Sequence, residues 1–210
     1  MMCSRGTIKI TTVQMGLKLS IPLRDTARQW EHPHPNTGEI FPDEFLPTIV
    51  LDGKDPVLAI KRWGIESSRD GKLMRNARAE TVDSLPTWQY HFQRRRCVVP
   101  FTGFIEWGKT EWSSMDRCLF SLDEQAEEPM LLAGIYDETH RLVIITTEAN
   151  QIVAPVHPRM PAILADKTAM EIWLHPSNTF YGRNDSLRAL KRLLVPYQGI
   201  LHTRPLERVA

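Results

Sequence analysis

An α+β fold with a strand-rich, mostly antiparallel core is predicted by three observations. Short apolar runs rich in β-branched residues recur along the chain, as in Leu46-Pro47-Thr48-Ile49-Val50-Leu51 and Leu142-Val143-Ile144-Ile145-Thr146-Thr147. Only a few stretches place apolar residues at helical spacing. The order of these elements, without internal repeat, low-complexity tract or linker between domains, suits a single α+β unit, residues 1–210. At 210 residues the chain can bury a real core, and a second full domain would be cramped.

Thr7 to Val13 reads as the first strand, and Ile21 to Trp30 as a helix candidate. The segment His32-Pro33-His34-Pro35-Asn36-Thr37-Gly38 is turn chemistry, because proline restricts φ and glycine releases it. Its two histidines have no nearby Cys or Asp partner, so a solvated loop is expected there and no metal. Glu39-Ile40-Phe41-Pro42 leads to the strand Leu46 to Leu51, closed by Asp52-Gly53, and Val57 to Gly64 is a further apolar piece. Ser67 to Lys72 reads as a polar, flexible linker. Thr87 to Arg95 places Trp88 and Phe92 on one helical face. Leu119 to Leu122, Met130 to Ile135 and Leu142 to Thr147 read as strands. Asp166 is placed to cap a helix running through Trp173-Leu174. Leucines at 187, 190, 193 and 194 make a helical core stripe over Asp185 to Leu194, and Leu201 to Val209 reads as a closing strand.

Hydrophobic content of 42% and charged content of 24% describe a soluble globular chain. The net charge of +1 gives no global field for nucleic acid, so any basic surface must be local, built from clusters such as Arg94 to Arg96. No apolar run approaches the ~18 residues that span a bilayer, and the N-terminus lacks a signal peptide's apolar region, which predicts a cytoplasmic location and no membrane. The three cysteines, Cys3, Cys97 and Cys118, are odd in number and lack CxxC spacing, which argues against a disulfide framework or a zinc site. Cys97 lies in an apolar run and reads as a small buried hydrophobe.

One stretch organises the rest: Arg94-Arg95-Arg96-Cys97-Val98-Val99-Pro100-Phe101-Thr102-Gly103-Phe104-Ile105-Glu106-Trp107. Its apolar run delivers a single carboxylate, Glu106, beside an indole. A carboxylate buried there without a partner would be costly, so either solvent meets Glu106 or chemistry does. The arginines read as a solvated face.

Five motifs in order then resemble the SOS response-associated peptidase (SRAP) family. They are Cys3-Ser4-Arg5, Asn76-Ala77-Arg78-Ala79-Glu80-Thr81, Arg95 to Pro100 with Gly103-Phe104-Ile105-Glu106-Trp107, Thr146-Thr147-Glu148-Ala149-Asn150, and His157-Pro158-Arg159-Met160-Pro161. Glu39-Ile40-Phe41-Pro42 resembles the variant of shorter bacterial members, and the match runs from the start to about Leu164. The resemblance implies strands curled into a barrel-like core with a positively charged cleft. It also implies repair of single-stranded DNA: a processed N-terminal cysteine reacts with the aldehyde of an abasic site to give a thiazolidine crosslink. Removal of the leading methionine by the protein itself, and lyase activity at abasic sites, are implied as well, with no cofactor.

By this resemblance the catalytic residues are Cys3, Asn76, Glu106 and His157. Glu106 accepts a proton from the Cys3 amine, His157 acts as general acid on the sugar oxygen, and Asn76, which cannot titrate, orients by hydrogen bonding. Arg5, Arg78 and Arg159 hold phosphates, while Trp107 and Pro42 offer surfaces against bases. On residues alone, Asn76 equally satisfies a turn and Arg78 equally pairs with Glu80. Three departures stand out: Met1-Met2 precede Cys3, where the family starts Met-Cys; Ser4 replaces a glycine; and Pro158 replaces an aspartate that could orient His157. Two other functions stay open: an N-terminal-nucleophile amidohydrolase using Cys3, and a non-catalytic single-strand binder.

Overall fold

The computed structural model describes residues 5–108, 116–175 and 183–206. Cys3 and Ser4 lie outside the described residues.

Five strands close into a barrel. β3 (Phe45–Asp52) and β4 (Asp55–Trp63) form a long hairpin whose turn contains Gly53 at φ 64°. β3 also pairs with β8 (Arg96–Phe101), β8 with β11 (Met130–Tyr136), and β11 with β12 (Arg141–Glu148). A parallel contact between β12 and β4 closes the circuit. β12 also carries β7 (Asn76–Arg78) and β13 (Arg159–Pro161). All six β8 residues are buried, which is why Cys97 to Phe101 is a continuous apolar run rather than an alternating one. Trp63 meets Phe101 edge-on at 5.7 Å in the interior.

A second sheet, fully antiparallel, has the order β14 (His202–Leu206), β10 (Asp116–Ser121), β9 (Gly103–Gly108), β1 (Gly6–Thr7), β2 (Glu39–Ile40). The chain passes from β8 straight into β9 through Thr102, whose backbone N–H and hydroxyl both donate to the Thr7 carbonyl. The α+β, strand-rich, barrel-like expectation therefore holds. Two pairings, β4–β12 and β7–β12, depart from the antiparallel rule.

The N-terminal expectation needs correction. Only Gly6–Thr7 is strand; α1 (Thr12–Leu19) begins inside the predicted strand. A capping box overrides β propensity: the Thr11 hydroxyl accepts from the Gln14 N–H, and Gln14 Oε1 accepts from the Thr11 N–H at 2.8 Å. The helix predicted over Ile21 to Trp30 is reduced to α2 (Asp25–Arg28), because Pro22 and Arg24 are tied by backbone hydrogen bonds to Leu58 of β4. The polar linker at Ser67 to Lys72 is the turn of a hairpin between β5 (Ile65–Glu66) and β6 (Leu73–Met74), with Ser67 N–H donating to the Lys72 carbonyl.

The other helices follow expectation. α3 (Pro86–Arg94) buries Trp88 and Phe92, and α4 (Lys167–Leu174) is capped by Asp166, which accepts from the Ala169 N–H at 2.8 Å. α5 is Arg183–Leu193, with Leu190 buried. Cys97 is fully buried, and burial pushes its thiol up to about 12. No helix among the described residues is long and apolar enough to cross a membrane.

The arginine run is not a solvated face throughout. Arg94 is exposed, Arg95 pairs with Glu138, and Arg96 is buried. The Arg96 guanidinium donates to the carbonyls of Phe92 at 2.8 Å and Trp173 at 2.6 Å, at the C-terminal ends of α3 and α4. Such carbonyls lack intrahelical partners and attract a cation. Desolvation lowers the guanidinium to about 10, so it stays charged at neutral pH. Arg96→Met is expected to destabilise the fold by roughly 3 kcal/mol, since it strands buried acceptors. Denaturant midpoints would check this, and an unchanged midpoint would show the carbonyls to be satisfied otherwise.

Candidate active site

β9 places the site by simple alternation. Phe104 points to the main core, where it stacks on Phe120 at 5.0 Å, whereas Ile105 joins a small outer cluster with Leu119 and Ala126. Two residues on from Phe104, Glu106 takes the core-facing side with only 2% of its side chain exposed, and Trp107 takes the outer side. Solvent therefore does not explain this carboxylate.

His157 is brought to it by a turn. Asn150 Oδ1 accepts from the N–H groups of Ile152 and Val153, and the His157 N–H donates to the Val153 carbonyl at 2.9 Å. Gly108 ends β9 against this turn; a Cβ there would overlap the Val156 carbonyl oxygen, so no other residue lets the two segments meet so closely. The result is a separation of 3.9 Å between His157 Nδ1 and Glu106 Oε1, an electrostatic contact longer than a hydrogen bond. The Arg159 backbone N–H and carbonyl each lie 3.1 Å from the same Nδ1, which can accept from the first or donate to the second. When Nδ1 accepts from the N–H, the neutral ring keeps its proton on Nε2. Backbone thus orients the ring where Pro158 leaves no side-chain acceptor.

Arg159 belongs to the same segment but is engaged. Its guanidinium forks onto Glu80 at 2.6 and 3.0 Å and donates to the Thr146 carbonyl at 2.6 Å. Glu80 is held below the usual carboxylate range by this hydrogen bond. Arg159, rather than Arg78, is the partner of Glu80 in this fork. Arg78 is exposed on β7, and Asn76 is half-buried at the start of that strand; β7 and β13 flank β12 on opposite sides, which gathers the Asn76 and His157 motifs around one strand.

A second cluster lies on the outer side. Arg5 pairs with Glu39 at 3.1 Å and sits over the rings of Phe41, 4.2 Å, and Trp107, 4.8 Å. Arg117 pairs with the other Glu39 oxygen and lies 5.9 Å from the Trp107 ring. Pro42, half-buried, follows Phe41. Arg117 and the role of Glu39 were not foreseen from sequence. Arg117 stands directly opposite Trp107 in the β9–β10 register, so a strand-pairing argument would have found it. Among the described residues no group of three His, Cys, Asp or Glu side chains is gathered for a metal.

Known proteins resemble this chain in sequence and in fold. The SOS response associated peptidase (SRAP) family model matches residues 2–208. The abasic site processing protein YoaM of Bacillus subtilis is 32% identical in a 173-position alignment that covers 76% of this chain and 72% of that protein. YoqW, an abasic site processing protein of the same organism, is 30% identical over 179 residues, covering 79% of this chain and 75% of its own. The abasic site processing protein HMCES of Xenopus tropicalis is 25% identical in a 183-position alignment that covers 72% of this chain and 53% of that protein. A crystal structure of a Bacteroides thetaiotaomicron protein superposes with TM-score 0.79 at 21% identity, covering 98% of this chain and 92% of the other. One from Bordetella bronchiseptica gives 0.73 at 19%, covering 98% and 100%. At those identities the two structures speak for the fold alone. With the family model spanning nearly its whole length, the chain belongs to the SRAP family.

Proposed function

We propose that this protein, acting as one domain over 1–210, processes abasic sites in single-stranded DNA through a covalent thiazolidine on Cys3, after Met1 and Met2 are removed. The observation that supports this best is the buried Glu106 carboxylate beside the His157 ring, on the strand that receives the N-terminal segment. The Arg5 carbonyl accepts from the Ile105 N–H at 3.0 Å, one residue before Glu106. Cys3 is two residues upstream of Arg5, so covalent geometry keeps their Cα atoms within about 7 Å.

The chemistry balances without a cofactor. A free α-amine attacks the ring-opened aldehyde and water leaves, giving an imine; the thiolate adds to the imine carbon and the nitrogen takes up a proton. The product is protein plus DNA less one water. Glu106 takes the proton that the ammonium must lose, and Nε2–H of His157 protonates the sugar oxygen as the ring opens. Asn76 orients the reactants by hydrogen bonding. Arg78, exposed, and Arg5 and Arg159, partly neutralised by Glu39 and Glu80, hold phosphates; Trp107 and Pro42 stack against bases. Strand cleavage by a lyase route branches from the imine, before ring closure.

Intact mass of the purified protein, alone and with a single-stranded oligonucleotide carrying one abasic site, tests the reading. Loss of both methionines and an adduct lacking one water are expected. Retained methionines without an adduct would overturn it.

A further inference from the structure

The outer face of the five-stranded sheet carries a cavity of about 200 Å³ that the reaction above does not use. Ile105 and Leu119 form part of its apolar wall, and Lys9, Arg117, Arg204 and Glu39 are its charged lining. Strand register explains the gathering: Leu119 stands opposite Arg204 and Ile105 opposite Leu119, so β14, β10 and β9 send these side chains to one face. Three cations thus share a small concavity with one carboxylate, and both Glu39 oxygens are already taken by Arg5 and Arg117.

The cations themselves are under-compensated. Arg204 has no carboxylate partner among the described residues, and the Lys9 amine reaches only the Gln125 carbonyl, at 3.5 Å. The Nε–H of Arg117 is buried without a hydrogen-bond partner. Lys9 is pushed below the usual lysine range, first by burial and then by repulsion from Arg204, with Glu127 and Asp123 opposing the shift. Asp123 is meanwhile occupied by the N–H groups of Glu127 and Glu128.

We propose that Lys9, Arg117 and Arg204 form a binding site for a phosphate group on this outer face, filled either by a phosphodiester of a nucleic-acid strand running past Trp107 or by free inorganic phosphate. Arg117 joins the cavity to Trp107, so a strand stacked on the indole has this site as its neighbour. A bound oxyanion would supply the charge that Glu39 cannot.

The site is separable from lesion chemistry, because its test uses no abasic site. Lys9→Gln/Arg204→Gln alters two exposed side chains, and Lys54→Gln/Lys167→Gln, on the β3–β4 turn and at the start of α4, removes the same charge elsewhere. Circular dichroism checks folding of both. In the first arm, binding of a lesion-free single-stranded oligonucleotide is followed by anisotropy against salt. Loss of one phosphate contact should weaken binding severalfold in the Lys9/Arg204 variant and make the slope of log K against log salt shallower by about 0.7. In the second arm, inorganic phosphate should raise the melting temperature of the wild type, against chloride at equal ionic strength, and fail to do so in the variant. A selective change in the first arm identifies a phosphodiester as occupant, and one in the second arm alone identifies free phosphate. Equal effects in the two double variants, or none in either arm, would overturn the site.

Discussion

Cys3→Ala is expected to abolish the covalent adduct with abasic single-stranded DNA while leaving the melting temperature and the affinity for lesion-free strand at wild-type values. The argument rests on ring closure. In a Cys3→Ala variant prepared with that alanine as its N-terminal residue, so that processing at Cys3 is not needed, the α-amine is free and the imine can still form, but nothing then adds to its carbon and hydrolysis returns both partners. No other thiol can substitute: Cys97 is fully buried with its thiol pushed up to about 12, and Cys118 is 5% exposed and also buried. Reduction with borohydride separates the two steps. A trapped amine adduct in the variant, absent without reductant, would show that Cys3 supplies closure and its amine supplies attack. A stable adduct without reductant would assign the nucleophile elsewhere and end the thiazolidine reading for this protein.

Much of the architecture is legible in sequence, for identifiable reasons. β3, β8, β11 and β12 are long apolar runs, so period and composition agree, and α3 and α4 announce themselves through Trp88 with Phe92 and through the Asp166 cap. The failures are equally physical. Thr7 to Val13 has strand composition, yet Thr11 and Gln14 satisfy each other's backbone N–H groups and start α1 there, an S/T-x-x-Q pattern whose caps override the β propensity. Arg96 looks like one of three surface cations until α3 and α4 are seen to end over it, and only tertiary structure brings Phe92 and Trp173 carbonyls to one guanidinium. The parallel β4–β12 contact that closes the barrel joins residues about eighty positions apart, beyond any local pattern. At the site, Glu106 was conspicuous as the lone acid of an apolar run. Its approach to His157 depends on Gly108 lying against Val156, and sequence does not show such a meeting.

Glu106→Gln is expected to slow adduct formation by about a hundredfold, at the lower end of the range for loss of a positioned proton acceptor. Glutamine keeps the size and hydrogen-bonding shape of the side chain but cannot take a proton, so a purely structural role would leave the rate nearly intact once folding is confirmed. The pH profile carries the distinction further. In the wild type the carboxylate can accept the proton of an ammonium group whose ordinary pKa is near 8, so adduct formation should persist below that value. In the variant only solvent base remains, and the rate should climb as pH rises through about 8, narrowing the gap to wild type. His157 is then a useful partner variant. Its Nδ1 is 3.9 Å from Glu106 Oε1, close enough for each charge to influence the other. If Glu106 takes the amine proton while Nε2–H serves the sugar, losses in Glu106→Gln and His157→Ala should fall on different steps: the histidine variant should regain rate with a pre-opened aldehyde substrate, and the glutamine variant should not. Equal rescue of both would merge the two roles into one proton relay, and rescue of neither would assign His157 to positioning.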